Sequence, residues 1–470
     1  MHLKINLPIS LLALTVFIAG QTLQAQKSAT EWLTTPDGTS LFAQQKLKPR
    51  FTTAAASNPV IDVDDTKTFQ TIDGFGYALT GGSAQLLMRM TPSARAAILH
   101  ELFATKGSSI GVSYLRVSIG SSDLNDHVFS YDDMPAGETD PTLAKFSLAP
   151  DRADVIPILK QILAINPKIK ILASPWTAPS WMKTNDDPKA GKLQPQFYPA
   201  YAAYLVKYLE GMKQEGIPID TITIQNEPEN PKNTPSMVMD ASEEGTFIRD
   251  NFGPALQKAG LSTKIVLFDH NCDHPNYPIA ILEDPATAKF VDGSGFHLYL
   301  GTIDALTKVH DAFPEKNLYF TEQMVVDAKG GTATTRIAEP VQRIIIGATR
   351  NWSRNVLLWN LAADPNNNPH TNNGGCTMCQ GAITINGDTV TRNRAYYTLA
   401  HASKFVRPGS IRIDSNEPEG VANVAFRTPT GKTVLLVANN SAASQTFSVR
   451  SHGRAFATTL AAGAVATYIW

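Results

Sequence analysis

Cysteine is scarce in this sequence: three residues, Cys272, Cys376 and Cys379, occur among 470. A structural zinc site needs about four ligands, and neither a second Cys-x-x-Cys pair nor a paired-histidine spacing completes one here. We therefore predict no metal site, and nothing else in the sequence requires a cofactor. The spacing of Cys376 and Cys379 permits a local disulfide in an oxidising compartment, which leaves Cys272 as a free thiol.

Net charge is almost absent as well. Lys and Arg together number 41 and Asp and Glu 42, which gives a formal charge of -1 at pH 7. This balance produces no overall field that would attract nucleic acid or an anionic membrane, so neither is expected as a partner. Hydrophobic residues make up 43% of the chain and charged residues 18%. That composition is ordinary for a globular protein with a sizeable core.

The longest apolar run lies at the N terminus, over residues 7–19, and is shorter than the about 20 residues that a transmembrane helix needs. Lys4 precedes it and polar residues 21–26 follow it. This pattern is typical of a signal peptide over residues 1–25, with cleavage after Ala25; the alternative is an internal apolar helix. We expect an exported protein, secreted or periplasmic, that does not insert into a membrane and is monomeric.

Short β-rich runs alternate with helical stretches from about residue 66 onward, which is typical of βα units around a parallel sheet. Eight such runs in roughly 290 residues predict an α/β fold of the (β/α)8 TIM-barrel type. A doubly wound sheet is the competing arrangement, but no glycine-rich phosphate loop opens a helix. The predicted strands are residues 71–75, 114–119, 169–173, 221–225, 265–269, 295–299, 318–321 and 356–360.

The C-terminal part of the chain lacks the alternation of strands and helices that is typical of the barrel. Residues 408–470 hold short alternating runs separated by Gly, Asn and Ser, which predict an antiparallel β-sandwich. We assign residues 26–65 to an N-terminal segment that contributes to this sandwich, residues 66–395 to the catalytic barrel and residues 396–470 to the sandwich itself.

Polar and aromatic side chains follow nearly every predicted barrel strand, at the rim where catalytic groups of such barrels occur. Two of them are carboxylic acids, Glu227 after the fourth strand and Glu322 after the seventh. Glycoside hydrolysis needs two carboxyl groups flanking the anomeric carbon, about 5 Å apart in a retaining mechanism. We therefore predict Glu227 as acid/base and Glu322 as nucleophile.

The neighbouring residues suit the same chemistry. Asn226 is placed to bind the sugar 2-hydroxyl, and Tyr299 to keep Glu322 ionised by hydrogen bonding. Glu227 must instead stay protonated near neutral pH, helped by the negative charge of its partner. Asp123 and Asp269 are expected to form ion pairs or support the site, and Glu229 to be solvated.

Five further residues are each open to more than one interpretation. Trp176 and Trp359 are expected to offer flat faces to sugar rings, although tryptophan also packs in protein cores. For Trp181, sugar binding and core packing are equally compatible with the sequence. Arg116 either orders the carboxylates of the site or forms a structural salt bridge. His297 either orients a carboxylate or contacts substrate, or it is a core histidine.

Several stretches resemble glycoside hydrolase family 30, the glucosylceramidase-like retaining β-glycosidases. They are QTIDGFG at residues 70–76, LRVSI at 115–119, ASPWTAPSWMKTN at 173–185, QNEP at 225–228, HLY at 297–299, FTEQ at 320–323, WNL at 359–361 and SKFVRP at 403–408. The resemblance implies a barrel joined to a β-sandwich, with acid/base Glu227 and nucleophile Glu322. It also implies a sugar-binding subsite that includes Arg116, Trp176, Asn226, Tyr299 and Trp359; to these we add His297.

One position departs from the glucosylceramidases. Those enzymes follow the stretch that resembles residues 74–80 with an Asp that holds the distal hydroxyls of a terminal glucose, whereas this sequence has Gly81. Losing the carboxylate removes charge-assisted hydrogen bonds and is expected to open space, which a 6-linked chain requires. The resemblance therefore favours the endo-β-1,6-glucanase branch. The alternatives are a glucosylceramidase or β-glucosidase and a hydrolase directed at β-xylan or fucose.

A function of another class is a non-catalytic carbohydrate-binding protein that keeps the cleft. The presence of both Glu227 and Glu322 argues against it, because binding alone does not require two opposed carboxylic acids. The sequence thus predicts a hydrolase acting on a β-glucan or another β-glycoside.

Overall fold

The fold is described by a computed structural model that covers residues 28–53 and 59–470, so the predicted signal peptide lies outside the described residues. The described residues form twenty strands. They are β1 (Thr30–Thr34), β2 (Ala43–Gln44), β3 (Val60–Thr71), β4 (Gly74–Ala78), β5 (Tyr114–Ile119), β6 (Lys170–Pro175), β7 (Thr221–Thr223), β8 (Lys264–Cys272), β9 (Val291–Gly301), β10 (Asn317–Glu322), β11 (Ser353–Leu358), β12 (Ala362–Ala363), β13 (Ile383–Asn386), β14 (Thr389–Arg392), β15 (Ile411–Ser415), β16 (Ala422–Arg427), β17 (Thr433–Ala438), β18 (Gln445–Ser451), β19 (Arg454–Leu460) and β20 (Val465–Ile469).

Strands β4 to β11 form a closed parallel barrel, in which β11 pairs with β4. This confirms the predicted (β/α)8 fold. The strands pack tightly enough that Gly76 in β4 cannot be replaced without moving the backbone, because a Cβ there would lie 1.6 Å from the carbonyl oxygen of Tyr114 in β5.

The first barrel strand begins three residues later than the sequence predicted. The chain leaves β3 at Thr71 and turns before β4, and the buried Asp73 holds this turn. Asp73 accepts hydrogen bonds from Lys170 at 2.7 Å and from Arg354 at 2.9 Å. The run of strand-forming residues continues across the turn, so the pattern alone could not separate the two strands.

Helices cover the outside of the barrel. The second helix begins, as predicted, at Pro92, where Thr91 caps the Ala94 amide. Among residues 28–53 and 59–470, no helix is both long and apolar enough to cross a membrane. The helices are α1 (Gly81–Arg89), α2 (Pro92–Phe103), α3 (Val155–Ile165), α4 (Tyr198–Gln214), α5 (Ala241–Phe247), α6 (Gly253–Lys258), α7 (Asn276–Leu282), α8 (Pro285–Ala288), α9 (Ala305–Ala312), α10 (Ala338–Pro340), α11 (Gly347–Arg350) and α12 (Arg394–Ser403).

The second module is a nine-stranded sheet in the order β19-β18-β3-β15-β16-β17-β20-β1-β2. Strands from before the barrel take part, since β1 pairs with β20 and β3 with β15. Phe456 in β19 and Tyr468 in β20 are far apart in this order, yet their ring centroids lie 5.5 Å apart. The sheet therefore folds over itself around one core, which confirms the predicted β-sandwich.

Helix α12 joins the two modules. His401 on this helix is fully buried and lies 2.8 Å from the Thr34 hydroxyl and 2.9 Å from the Thr467 hydroxyl. Burial lowers the pKa of His401 to about 3, so the imidazole is neutral and bonds these hydroxyls without a buried charge.

Candidate active site

The carboxyl ends of the barrel strands surround an open cleft of about 760 Å³. This is the end of a (β/α)8 barrel at which catalytic residues occur. Six of the predicted site residues line the cleft, whereas Arg116 and His297 lie fully buried beneath it. The lining residues are Asp123, Trp176, Asn226, Glu227, Asn230, Asn233, Asn271, Tyr299, Leu300, Glu322, Met324, Trp359, Cys376 and Cys379.

Two buried carboxylates face each other in the cleft. Glu322 is the last residue of β10, and Glu227 follows β7, with its N–H donating to the carbonyl of Asp269 at 3.0 Å. Glu227 Oε1 lies 3.1 Å and Glu322 Oε1 lies 3.8 Å from the same nitrogen, His297 Nδ1. The two oxygens are therefore at most about 7 Å apart, which is compatible with the roughly 5–5.5 Å that separates the carboxyl groups of retaining glycosidases.

Arg116 in β5 connects two of the acidic residues beneath the cleft. One guanidinium nitrogen donates to Glu322 at 2.5 Å, and another donates to Asp269 at 2.8 Å and to Asn226 at 2.7 Å. Burial disfavours the cation, but the two carboxylates raise the pKa of Arg116 above its usual value. Arg116 thus forms a buried ion-pair network that fixes the orientation of Glu322 and Asn226.

His297 in β9 connects the other side of this network. Its Nε2 lies 3.0 Å from Asp269 Oδ1, and its Nδ1 contacts Glu227. Burial works against the imidazolium, but the charges of Glu322, Asp269 and Glu227 raise the pKa of His297 to about 9. These contacts form one continuous chain of charged groups, which runs from Glu322 through Arg116, Asp269 and His297 to Glu227.

Amide and hydroxyl groups complete the contacts of the two carboxylates. Asn230 donates to Glu227 Oε2 at 2.6 Å, and Asn233 approaches the same oxygen at 3.4 Å. The hydroxyl of Tyr299 donates to Glu322 Oε1 at 2.9 Å, the contact predicted for it. Each carboxylate is thus held through both of its oxygens.

The protonation of the two carboxyl groups differs from the sequence-based expectation. Burial disfavours ionisation of Glu227, but the hydrogen bond and charge of His297 outweigh it and lower the pKa of Glu227 to about 2. Burial raises the pKa of Glu322 above its usual value, although His297 and Arg116 oppose the rise. These shifts favour an imidazolium at His297 beside an ionised Glu227, rather than the protonated Glu227 that the sequence predicted.

The three tryptophans divide into two groups. Trp176 and Trp359 line the cleft and stack on each other, with ring centroids 5.4 Å apart and an interplanar angle of 27°. Trp181 is buried away from the cleft, and its Nε1 donates to the Asp132 carbonyl at 3.0 Å. Trp176 and Trp359 can therefore offer faces to a sugar ring, whereas Trp181 belongs to the core.

Gly81 does not open space as the sequence suggested. A Cβ at this position would lie 2.0 Å from Nδ2 of Asn125, so the amide of Asn125 fills the volume. Gly81 therefore makes no room for a 6-linked chain, contrary to our prediction, and carries no weight in the choice of substrate.

A third carboxyl group in the cleft belongs to Asp123, in the loop after β5. It was expected to form ion pairs or to support the site, yet it lines the cleft, and within residues 28–53 and 59–470 its Oδ1 has no hydrogen-bond partner. Burial and the charges of Glu322 and Glu227 raise its pKa well above the usual value. The available signal was its position, on the loop that follows Arg116 at the catalytic rim.

A disulfide closes the wall beside Asp123. Cys376 and Cys379 are bonded, and Cys272 is a buried free thiol, which is the pairing that the sequence permitted. The backbone N–H of Cys376 donates to the Asp123 carboxylate. The disulfide loop thus helps to position the unpaired carboxylate oxygen in the cleft.

Known proteins resemble this chain over nearly its whole length. Relatives include the endo-1,6-β-D-glucanase of Neurospora crassa, 34% identical over 85% of this chain and 84% of its own, and the lysosomal acid glucosylceramidase of Mus musculus, 27% identical over 87% and 83%. Among solved structures, the endo-β1,6-glucanase BT3312 is 35% identical, with a TM-score of 0.87 over 94% of this chain and 99% of its own.

Both modules match models of one family. Residues 72–406 match the glycosyl hydrolase family 30 TIM-barrel domain, and residues 409–468 match the glycosyl hydrolase family 30 β-sandwich domain. The two matches together cover most of the chain and follow the observed barrel and sandwich. This protein therefore belongs to glycoside hydrolase family 30 and is a retaining β-glycosidase.

Proposed function

We propose that this protein is an endo-acting β-1,6-glucanase, with Glu322 as nucleophile and Glu227 as acid/base. The observation that carries the proposal is the pair of buried carboxylates in one cleft, 3.1 and 3.8 Å from His297 Nδ1. The two endo-1,6-glucanases described above are 34% and 35% identical to this chain and the mouse glucosylceramidase 27%, which favours β-1,6-glucan over glucosylceramide.

The reaction proceeds by two displacements at the anomeric carbon. In the first, Glu322 attacks this carbon while Glu227 protonates the glycosidic oxygen, so that the carbon–oxygen bond breaks and the rest of the glucan leaves as an alcohol. In the second, Glu227 takes a proton from water, whose oxygen attacks the same carbon and releases Glu322. Two inversions leave the product in the β configuration.

The buried chain of charges prepares both carboxylates. Arg116 and Tyr299 aim Glu322 at the anomeric carbon and stabilise its negative charge through two hydrogen bonds. His297 holds the proton that Glu227 must deliver, 3.1 Å from Glu227 Oε1. The Glu227–His297 pair acts as one proton donor, and the proton moves to Glu227 as charge develops on the glycosidic oxygen.

The remaining cleft residues bind the sugar. Asn226 accepts from Arg116 through its Oδ1, which directs its amide N–H groups toward the 2-hydroxyl. Trp176 and Trp359 cover one face of the ring. Asp123 lines the same cleft, and its Oδ1 has no partner among residues 28–53 and 59–470, so it can accept a hydrogen bond from a sugar hydroxyl.

The proposal includes the cellular location and assembly of the enzyme. Residues 1–25 have the pattern of a signal peptide, which supports export. Glu227 and Glu322 meet within one chain, so the proposed reaction needs no residue from a second copy and we propose a monomer. The enzyme would then meet its polysaccharide substrate outside the cytoplasm, in the periplasm or after secretion.

The test is hydrolysis of a panel of substrates by the purified protein. We expect β-1,6-glucan to be cleaved internally into a series of oligosaccharides whose new reducing ends are first formed as the β anomer, as seen by proton NMR. β-1,3-Glucan, xylan and glucosylceramide are expected to be at least about 100-fold poorer substrates by kcat/KM. Cleavage of glucosylceramide or xylan without cleavage of β-1,6-glucan would overturn the proposal.

The pH dependence of kcat/KM is expected to be bell-shaped. The Glu227–His297 pair must carry one proton, which it keeps below the His297 pKa of about 9 and loses as the pH rises through that value. Glu322 must be ionised, and because its pKa is raised from 4.5, activity falls as the pH drops through a value above 4.5.

His297→Asn is expected to move the alkaline limb down by roughly one pH unit or more, because the buried Glu227 carboxyl alone then holds the proton. The measurement is kcat/KM against pH on a soluble β-1,6-linked oligosaccharide. Glu229→Gln removes a nearby carboxylate that contacts His274 at the surface and serves as the control that leaves both limbs in place. An alkaline limb that stays near pH 9 in His297→Asn would contradict the proton-holding role.

A further inference from the structure

Glu227 is flanked by a second histidine that the reaction does not use. His270 in β8 has its Nδ1 3.9 Å from Glu227 Oε1. This nitrogen is buried and has no hydrogen-bond partner among residues 28–53 and 59–470, and His270 as a whole is 8% exposed. A buried imidazole nitrogen without a partner is costly unless something binds it.

Three ligand atoms meet at this point. One atom each from Glu227, His270 and His297 lies within 4.8 Å of the other two. Ligand atoms on a tetrahedral zinc ion are roughly 3.3 Å apart, given bond lengths of about 2.0–2.2 Å to imidazole nitrogen and carboxylate oxygen. The pairs at 3.1 Å (His297 and Glu227) and 3.9 Å (His270 and Glu227) bracket that spacing.

The surroundings also match those of metal sites. The Nε2 of His297 contacts Asp269 at 3.0 Å, which is the carboxylate–histidine arrangement that orients a metal-binding imidazole. Its Nδ1 becomes a ligand when the ion displaces to solvent the proton that this nitrogen shares with Glu227. Asn230 holds the second oxygen of Glu227 at 2.6 Å. Asp269 and Glu322 both carry negative charge against the one guanidinium of Arg116 that they share. Glu227 lines the open cleft, so the fourth position of an ion held here would be accessible to solvent.

We propose that Glu227, His270 and His297 form a binding site for one divalent ion of the zinc class, and that this ion inhibits the enzyme. The ligand set of two imidazoles and one carboxylate favours zinc and its neighbours over calcium or magnesium, which prefer oxygen ligands. The ion occupies Glu227 Oε1. The inhibition rests on the acid/base role proposed above for Glu227, whereas the binding does not.

The test is a calorimetric titration of the full mature protein with zinc chloride. We expect one ion per chain, with affinity roughly 100-fold weaker in His270→Asn and in Glu227→Gln. Thermal unfolding of each variant in the absence of zinc checks that it is folded. His274→Asn is the matched control, because His274 is an exposed histidine beside Glu229 and Asp273 and is expected to leave the affinity within about twofold.

Activity measurements separate this inference from the proposed function. Zinc should inhibit glucan hydrolysis by the wild-type enzyme, EDTA should restore it, and Glu322→Gln should bind zinc while lacking activity. Absence of zinc binding, an unchanged affinity in His270→Asn, or its loss in His274→Asn overturns the metal site and leaves the proposed function untouched. Zinc binding that requires Glu227, in an enzyme that keeps its activity as Glu227→Gln, would retain the metal site and refute the proposed acid/base.

Discussion

Glu322→Gln is expected to lower kcat for an activated aryl β-glycoside by roughly 10⁵-fold, because an amide cannot form the glycosyl–enzyme bond. The substitution keeps the shape of the side chain. It also leaves Arg116 paired with Asp269 at 2.8 Å, so no guanidinium is buried without a carboxylate and the fold should persist. The measurement is the rate of aryl alcohol release, with thermal unfolding as a check on folding.

A second variant at the same position tests the stereochemistry. Glu322→Gly removes the side chain, and sodium azide can then attack from the vacated side in a single inversion to give the α-glycosyl azide. Glu229→Gln is the control for the loss of one carboxylate near the cleft and should keep activity within about twofold, because this residue contacts His274 at the surface. A Glu322→Gln enzyme that retains a tenth or more of its activity would show that another group attacks the anomeric carbon.

The barrel could be predicted because each βα unit is visible in a short stretch of sequence. The catalytic residues could be predicted because in such barrels they lie at the carboxyl ends of the strands. Each strand is a short run of β-forming residues followed by polar side chains, and parallel strands of one barrel bring those side chains to one rim. Glu227, Glu322, Trp176 and Trp359 could therefore be selected without coordinates. The core role of Trp181 depends on packing against Asp132 and Phe197, which no run of sequence shows.

The protonation of the site could not be predicted, because it depends on contacts among four strands. His297 pairs with both Glu227 and Asp269, and Asp269 pairs with Arg116. Each of these pairs is remote in sequence, so adjacent charges gave no indication of them. For the same reason, the sequence around Gly81 gave no indication of Asn125, which lies in the loop after β5 and fills the space beside Gly81.

Glu227→Gln is expected to reduce the rate strongly for substrates with a poor leaving group and only slightly for substrates with a good one. For β-1,6-glucan, whose leaving alcohol is poor, loss of the proton donor should reduce kcat/KM by about 10²–10⁴-fold. A dinitrophenyl β-glycoside needs no proton to leave, so its first displacement should slow by less than about tenfold. Without a base to activate water, the glycosyl–enzyme should then accumulate and give a burst of dinitrophenol.

The anomeric configuration of the product formed with azide shows whether the substituted residue was the nucleophile or the acid/base. In Glu227→Gln the nucleophile Glu322 still forms the covalent intermediate, and azide can replace water without a general base and give the β-glycosyl azide. This product is the opposite anomer from that of Glu322→Gly, so the pair of variants assigns both roles in one NMR experiment. An α-azide from Glu227→Gln, or an equal loss on glucan and on the dinitrophenyl substrate, would contradict the assignment. The Asn230 contact to Oε2 at 2.6 Å can be kept by the amide oxygen of glutamine, which makes this variant a test of the proton rather than of the position.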